Sequence, residues 1–119
     1  MLEITRTFTF EAAHTQPGAA VGHPNARVHG HSFLAEVTLA GEPNAHGMVR
    51  DFGQFEAALE EARTALDHHF LNDVPGLMAP TLEGLALFIY GKLAAKLPEL
   101  AAVTVRRPSL GQAASYRGG

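Results

Sequence analysis

Residues 28–39 read VHGHSFLAEVTL, and this stretch decides the fold because a strand pattern and a ligand pattern meet in it. Phe33, Ala35, Val37 and Leu39 alternate with polar neighbours such as Ser32, Glu36 and Thr38, the period of a half-buried strand. Gly41, Pro43 and Asn44 end the run. Just ahead of it, His29 and His31 are two residues apart, so on an extended chain both imidazoles leave the same face.

Towards the N-terminus, residues 2–10 alternate in the same way: Leu2, Ile4, Phe8 and Phe10 against Glu3, Thr5, Thr7 and Thr9, which predicts a first strand. His14 lies just past its end. If the two strands pair antiparallel, that end lies beside the start of the second strand, and His14, His29 and His31 converge. Between them, residues 16–26 (QPGAAVGHPNA) carry two Pro and two Gly without periodicity and read as a long loop.

Towards the C-terminus, Asp51 heads Phe52, Phe55, Leu59, Ala62 and Leu66, spaced by three and four, with Gln54 placed for a capping box. An amphipathic helix follows, its Glu56, Glu60, Glu61 and Arg63 face solvated. Thr81 is placed to cap a second helix, with Glu83 in its first turn, a stripe of Leu82, Leu85, Ile89 and Leu93, and Pro98 at its end. Residues 101–107 and 112–117 read as short strands around a Pro108–Gly111 turn. The order ββααββ predicts an α+β fold over a single domain, 1–119: an antiparallel sheet with two helices on one face.

Composition narrows the chemistry. With 119 residues and 46% hydrophobic content, one core is feasible without staples. A net charge of −3 leaves no basic footprint, so no nucleic-acid partner is expected. There is no Cys, which removes disulfides, thiolate metal sites and thiol nucleophiles, and leaves His, Asp and Glu for any metal. A charged, alternating N-terminus and the lack of eighteen consecutive apolar residues predict a cytoplasmic protein with no membrane partner.

Three neutral imidazoles suit zinc and leave its fourth position open, the catalytic kind of site; ordinary hydrogen-bonded histidines are the other reading, and spacing alone leaves both open. His23 and His46 sit among loop residues, His23 being the better placed for a site role. Gly30, between the two paired histidines, suits close approach of substrate or backbone. In LDHHFLND, residues 66–73, Asp67 beside His68 has the chemistry to fix an imidazole tautomer and raise its basicity; a charged helix end is the alternative.

The segments FTFEAAH, VHGHSF, GMVRDF, LDHHFLND, PTLEGLA and SYRGG, in this order over nearly the whole chain, resemble the family of 6-pyruvoyl-tetrahydropterin synthase and its bacterial relative, 6-carboxy-tetrahydropterin synthase of queuosine biosynthesis. The resemblance implies the tunnelling fold, whose sheets join between subunits into a barrel, as a homo-oligomer, trimer or hexamer. It further implies a zinc lyase acting on a small reduced pterin such as dihydroneopterin triphosphate. His14, His29 and His31 would hold the zinc, Asp67 and His68 would relay protons, and Thr81 and Leu82 would contact the pterin. Two positions depart from the family. Its catalytic Cys stands four residues before the HGH motif, where this chain has Asn25, and an amide has no usable proton affinity near neutrality. Its pterin-binding carboxylate falls at Arg107 or Pro108; a guanidinium only donates, so Arg107 would either hold an anionic group instead or stand as an exposed charge at a strand end. The chain is thus expected to be a divergent lyase or aldolase-type enzyme, with a non-catalytic zinc- and ligand-binding oligomer as the alternative.

Overall fold

The computed structural model describes residues 1–16 and 18–118; Pro17 of the long loop and Gly119 of the closing motif lie outside the described residues. Four strands, β1 (Leu2–His14), β2 (His29–Gly41), β3 (Leu100–Arg107) and β4 (Gln112–Arg117), form one antiparallel sheet in the order β1-β2-β3-β4. Two helices, α1 (Phe52–Leu66) and α2 (Leu82–Ala94), lie between β2 and β3 in the chain. This is the ββααββ order expected from the pattern.

The first two strands are longer than expected. The apolar alternation stops at Phe10 and starts at Phe33, but pairing continues from Phe10↔Phe33 through Ala12↔His31 to His14↔His29. A hydrophobic pattern counts apolar side chains, and histidine is not one; the backbone ladder is indifferent to that. His14 is therefore the last residue of β1, and His29 and His31 lie within β2.

Both helices cover the sheet face that carries Phe10, Phe33, Ala35, Val37, Leu39, Val103 and Val105, all buried. From α1 come Phe55, Leu59, Ala62 and Leu66, and from α2 Leu85, Ile89 and Leu93. The Phe10 and Phe33 rings stack with centroids 5.0 Å apart, directly below the histidine end of the strands. The opposite face is polar: Thr5 bonds Thr38 at 3.1 Å and Thr104 bonds Ser115 at 2.6 Å.

Asp51 caps α1 by accepting the Gln54 amide at 3.1 Å, but the capping box is only half made. The Gln54 side chain accepts from Arg50 instead, and Arg50 clamps Glu99 through two bonds of 2.7 and 2.9 Å, tying the start of α1 to the approach of β3. At the far end of α1 the chain turns through His68, whose φ of +59° is the left-handed region that costs a residue with a Cβ about 1–2 kcal/mol. That turn lays residues 67–70 along the free edge of β1, where Ala13 bridges Phe70 and the Ala13 amide donates to the His69 carbonyl at 3.1 Å.

Thr81 caps α2, its Oγ1 accepting the Gly84 amide at 3.0 Å. A Cβ on Gly84 would overlap the backbone carbonyl of Ala79. Helix propensity alone favours Ala over Gly by about 1 kcal/mol, but the overlapping atom is main chain and cannot rotate away. Gly84→Ala is therefore expected to lower stability, by about 1–3 kcal/mol, and urea unfolding of the pair checks the sign.

Candidate metal centre and its cleft

The pairing register sets His14 directly opposite His29, with His31 one step along the same face. One nitrogen from each ring lies within 4.8 Å of the other two. His14 is 1% exposed, the one buried polar residue among the described ones; His29 and His31 are partly buried.

Tautomers follow from the partners. His14 Nδ1 lies 2.7 Å from the Pro80 carbonyl and His29 Nδ1 lies 2.8 Å from the Arg27 carbonyl. A carbonyl only accepts, so each Nδ1 carries the proton and each Nε2 is a bare lone pair. Those two Nε2 atoms stand 3.0 Å apart, a contact that two lone pairs do not hold without a cation or proton between them. The third nitrogen, His31 Nε2, is buried with no hydrogen-bond partner. Around a tetrahedral ion bound at about 2.0–2.1 Å, ligand nitrogens stand about 3.3 Å apart. The donor set thus fits a metal, with carbonyl partners orienting two of the rings in the way metal-bound imidazoles are oriented.

Burial holds two of the rings below the ordinary histidine range. Burial pushes the His31 imidazole down to about 4, helped by the nearby Arg107 charge. Burial likewise lowers His14, opposed by its bond to Pro80. Gly30 is not forced by packing, since a Cβ there would meet the Ala12 carbonyl oxygen at an ordinary 3.6 Å.

Asp67 and His68 are brought together as a pair, His68 Nδ1 lying 2.8 Å from Asp67 Oδ2. Asp67 also accepts the Glu11 amide at 2.9 Å and an Arg63 N–H at 3.1 Å. The Glu11 amide bond is the main reason its carboxyl is held below the usual range, with His68 and Arg63 adding to it. An ionised Asp67 accepts the hydrogen bond from His68 Nδ1–H, leaving Nε2 as the free acceptor. The His68 ring is largely exposed and, with His31, Glu11 and Ser32, lines an open cleft of about 500 Å³.

The start of α2 abuts the triad through Pro80, so Thr81 and Leu82 lie next to the centre; the Thr81 hydroxyl is occupied by its capping bond. Arg107 follows the last β2–β3 pair, Leu34↔Arg106, and shares the core-side face with Val105 and Phe33. His23 takes the bland role, its Nδ1 accepting the Asn25 amide at 3.1 Å to cap a short turn. Asn25 meets the chain through its backbone, its carbonyl accepting the Gln16 amide at 2.8 Å to close the loop. The pattern missed three supporting groups: the Pro80 carbonyl, Arg63 and Asn72. Asn72 binds the backbone of Thr15 by bonds of 3.0 and 3.2 Å and so fixes the chain next to His14. Only the Arg63–Asp67 spacing of four was a readable signal.

Comparison with known proteins agrees with this architecture. A family model described as "6-pyruvoyl tetrahydropterin synthase" matches residues 3–119. A protein of Synechocystis sp. named 6-carboxy-5,6,7,8-tetrahydropterin synthase is 40% identical over 111 residues, 86% of this chain and 83% of that protein. A protein of Pyrococcus furiosus named dihydroneopterin monophosphate aldolase is 33% identical over 90 residues, 76% of this chain and 73% of that one. The solved structure of Caenorhabditis elegans 6-pyruvoyl tetrahydropterin synthase superposes with a TM-score of 0.86 over 99% of this chain and 96% of that chain, at 21% identity, a likeness of fold.

In metal-free protein His31 resists protonation until about pH 4 when folded, but titrates near its ordinary value of about 6.5 when unfolded. The unfolded chain then binds more protons between these values, so stability is full above about pH 6.5 and falls as pH drops towards 4. The expected loss is on the order of 1–2 kcal/mol once solvent screening of a partly buried ring is allowed for. Urea unfolding at pH 7.5, 6 and 5 measures it in chelator-treated protein; His31→Gln should flatten the profile, and equal slopes in both proteins would contradict the assignment.

Proposed function

The chain belongs to the 6-pyruvoyl tetrahydropterin synthase family, and on that premise we propose that it is a zinc-dependent lyase acting on the side chain of a small reduced pterin. The observation that carries the reading is the set of bare Nε2 atoms on His14 and His29, 3.0 Å apart beside the orphaned Nε2 of His31. Three imidazoles without a thiolate suit zinc and would leave its fourth position for substrate. Bound zinc would supply Lewis-acid polarisation of a substrate side-chain oxygen.

Proton movement falls to His68. Its Nδ1–H is fixed on Asp67, so Nε2 is the atom available to accept a proton. Asn25, at the position of the family's catalytic Cys, cannot share the task. A single base suffices for carbon–carbon scission. His68 would take the proton of the 2′-hydroxyl as the C1′–C2′ bond breaks, the electron pair would pass into the C6=N5 unit of a 7,8-dihydropterin, and the same proton would return to C1′. The products are a 6-hydroxymethyl-dihydropterin and a two-carbon aldehyde. Aldolase-type cleavage is therefore favoured over the synthase reaction, which in the family relies on a thiol as well. Thr81 and Leu82, at the start of α2 beside His14, are the proposed pterin contacts.

Among the described residues the chain also leaves sheet edges open: β4 on its outer side and β1 before Thr9, whose carbonyl accepts from Arg63. Pairing between subunits would satisfy them, so we place the protein in a closed homo-oligomer, trimer or hexamer. Sedimentation equilibrium is expected to give one of these, and a monomer at high concentration would remove the shared barrel.

Metal analysis after dialysis is expected to find one zinc per chain, lost in His29→Ala and His31→Ala. With dihydroneopterin and its triphosphate as substrates, the expected product is 6-hydroxymethyl-dihydropterin. His68→Ala should cut turnover by about 10²–10⁴-fold with zinc content unchanged. Synthase product at ordinary enzyme rates would show that another residue replaces the thiol. No product from either substrate, with zinc bound, would leave the non-catalytic ligand-binding reading.

A further inference from the structure

Beside the histidine triad stands a guanidinium whose Nε has no hydrogen-bond partner among the described residues. Arg107 lies on β3 at the register position facing Phe33, two residues along β2 from His31, and its side chain is on the core side of the sheet. Its Nε is buried and has no hydrogen-bond partner. The neighbouring Arg106 shows the ordinary alternative: it faces the other way and pairs with Glu36 at 3.6 Å. No carboxylate comes within ion-pair distance of Arg107 among the described residues; Glu83, in the first turn of α2, acts on it only from a distance. Burial consequently pushes Arg107 down from its ordinary value, with Glu83 as the one opposing charge. Desolvating a cation without a full set of acceptors is costly, and such a site is relieved by a ligand that brings the acceptors with it.

The surroundings favour an oxyanion as that ligand. The first turn of α2 offers the amides of Leu82 and Glu83, which have no intrahelical acceptors, while the Thr81 cap takes only the Gly84 amide. Imidazoles carry no negative charge, so the triad adds no competing anion. A guanidinium fork has donors only and matches carboxylate or phosphate oxygens two at a time.

We propose that Arg107 anchors an oxyanion, a carboxylate or a phosphate ester carried on the substrate's side chain, so that the site selects anionic over neutral pterins. The inference rests on the pterin reading above and specifies which pterins. It reverses the chemistry expected at this strand position from the family resemblance, where a carboxylate accepts N–H groups of the ring.

The test is calorimetric titration of the protein as purified with three oxidised, unreactive pterins: neutral neopterin, neopterin monophosphate and 6-carboxypterin, with inorganic phosphate as a fourth probe. At least one of the two anionic pterins should bind about tenfold to a hundredfold more tightly than neopterin, and which one identifies the oxyanion. Arg107→Gln should abolish that preference, and Arg107→Lys, which keeps the charge but not the fork, should retain part of it. A metal's own attraction for an anion survives in both variants, so a preference unchanged in Arg107→Gln overturns the proposal. Equal affinity of all three pterins for the unmodified protein overturns it without any variant and leaves the pterin reading standing. If no pterin binds but inorganic phosphate binds in an Arg107-dependent way, the oxyanion site stands and the pterin reading falls. Binding of none of the four probes overturns both.

Discussion

The antiparallel register that sets His14 opposite His29 is the constraint on which the rest of this structure depends. Side chains alternate across a sheet with a period of two, so a slip of one residue would turn His14 to the polar outer face while His29 and His31 stayed inside. The register is held from below by the Phe10–Phe33 stack and from the edge by Asn72 on Thr15 and the Ala13–Phe70 bridge. Core packing and ligand geometry are thus set by one ladder of hydrogen bonds.

A second layer fixes how the rings are presented. Pro80, just before the start of α2, accepts through its carbonyl the hydrogen bond of His14 Nδ1–H and thereby ties a helix start to the centre. The tight passage of Gly84 against Ala79 holds that start in place. On the other side, Asp67 collects a backbone amide, a guanidinium and an imidazole at the point where α1 ends. The left-handed backbone of His68 is the strained position in this arrangement. Strain of this kind persists when several contacts over-determine it, as the Glu11 carbonyl does by accepting the His68 amide at 2.6 Å.

Charge is distributed unevenly around the centre. Burial holds His14 and His31 below the ordinary histidine range, Asp67 is kept ionised, and the buried Arg107 Nε has no acceptor among the described residues. A site so arranged is short of negative charge on the core side of the sheet, which a metal would deepen.

Element order, the two helix starts and the identity of the candidate ligands were determined by the sequence, because each rests on local chemistry. Alternation marked strands, a three-four stripe marked helices, Asp51 and Thr81 marked their caps, and the HGH spacing marked one face. What lay beyond local pattern was decided only by the tertiary structure. The true ends of β1 and β2 could not be read, since backbone pairing does not require apolar side chains. The tautomers of His14 and His29 depend on carbonyls 66 and two residues away, and a carbonyl carries no residue-type signal. Nor could spacing tell that His23 would serve a turn, that Gly30 would be dispensable for packing, or that Arg107 rather than Arg106 would face the core. That last choice follows from the parity of the β2–β3 register, a property of two strands that the chain separates by about sixty residues and that only pairing brings into contact.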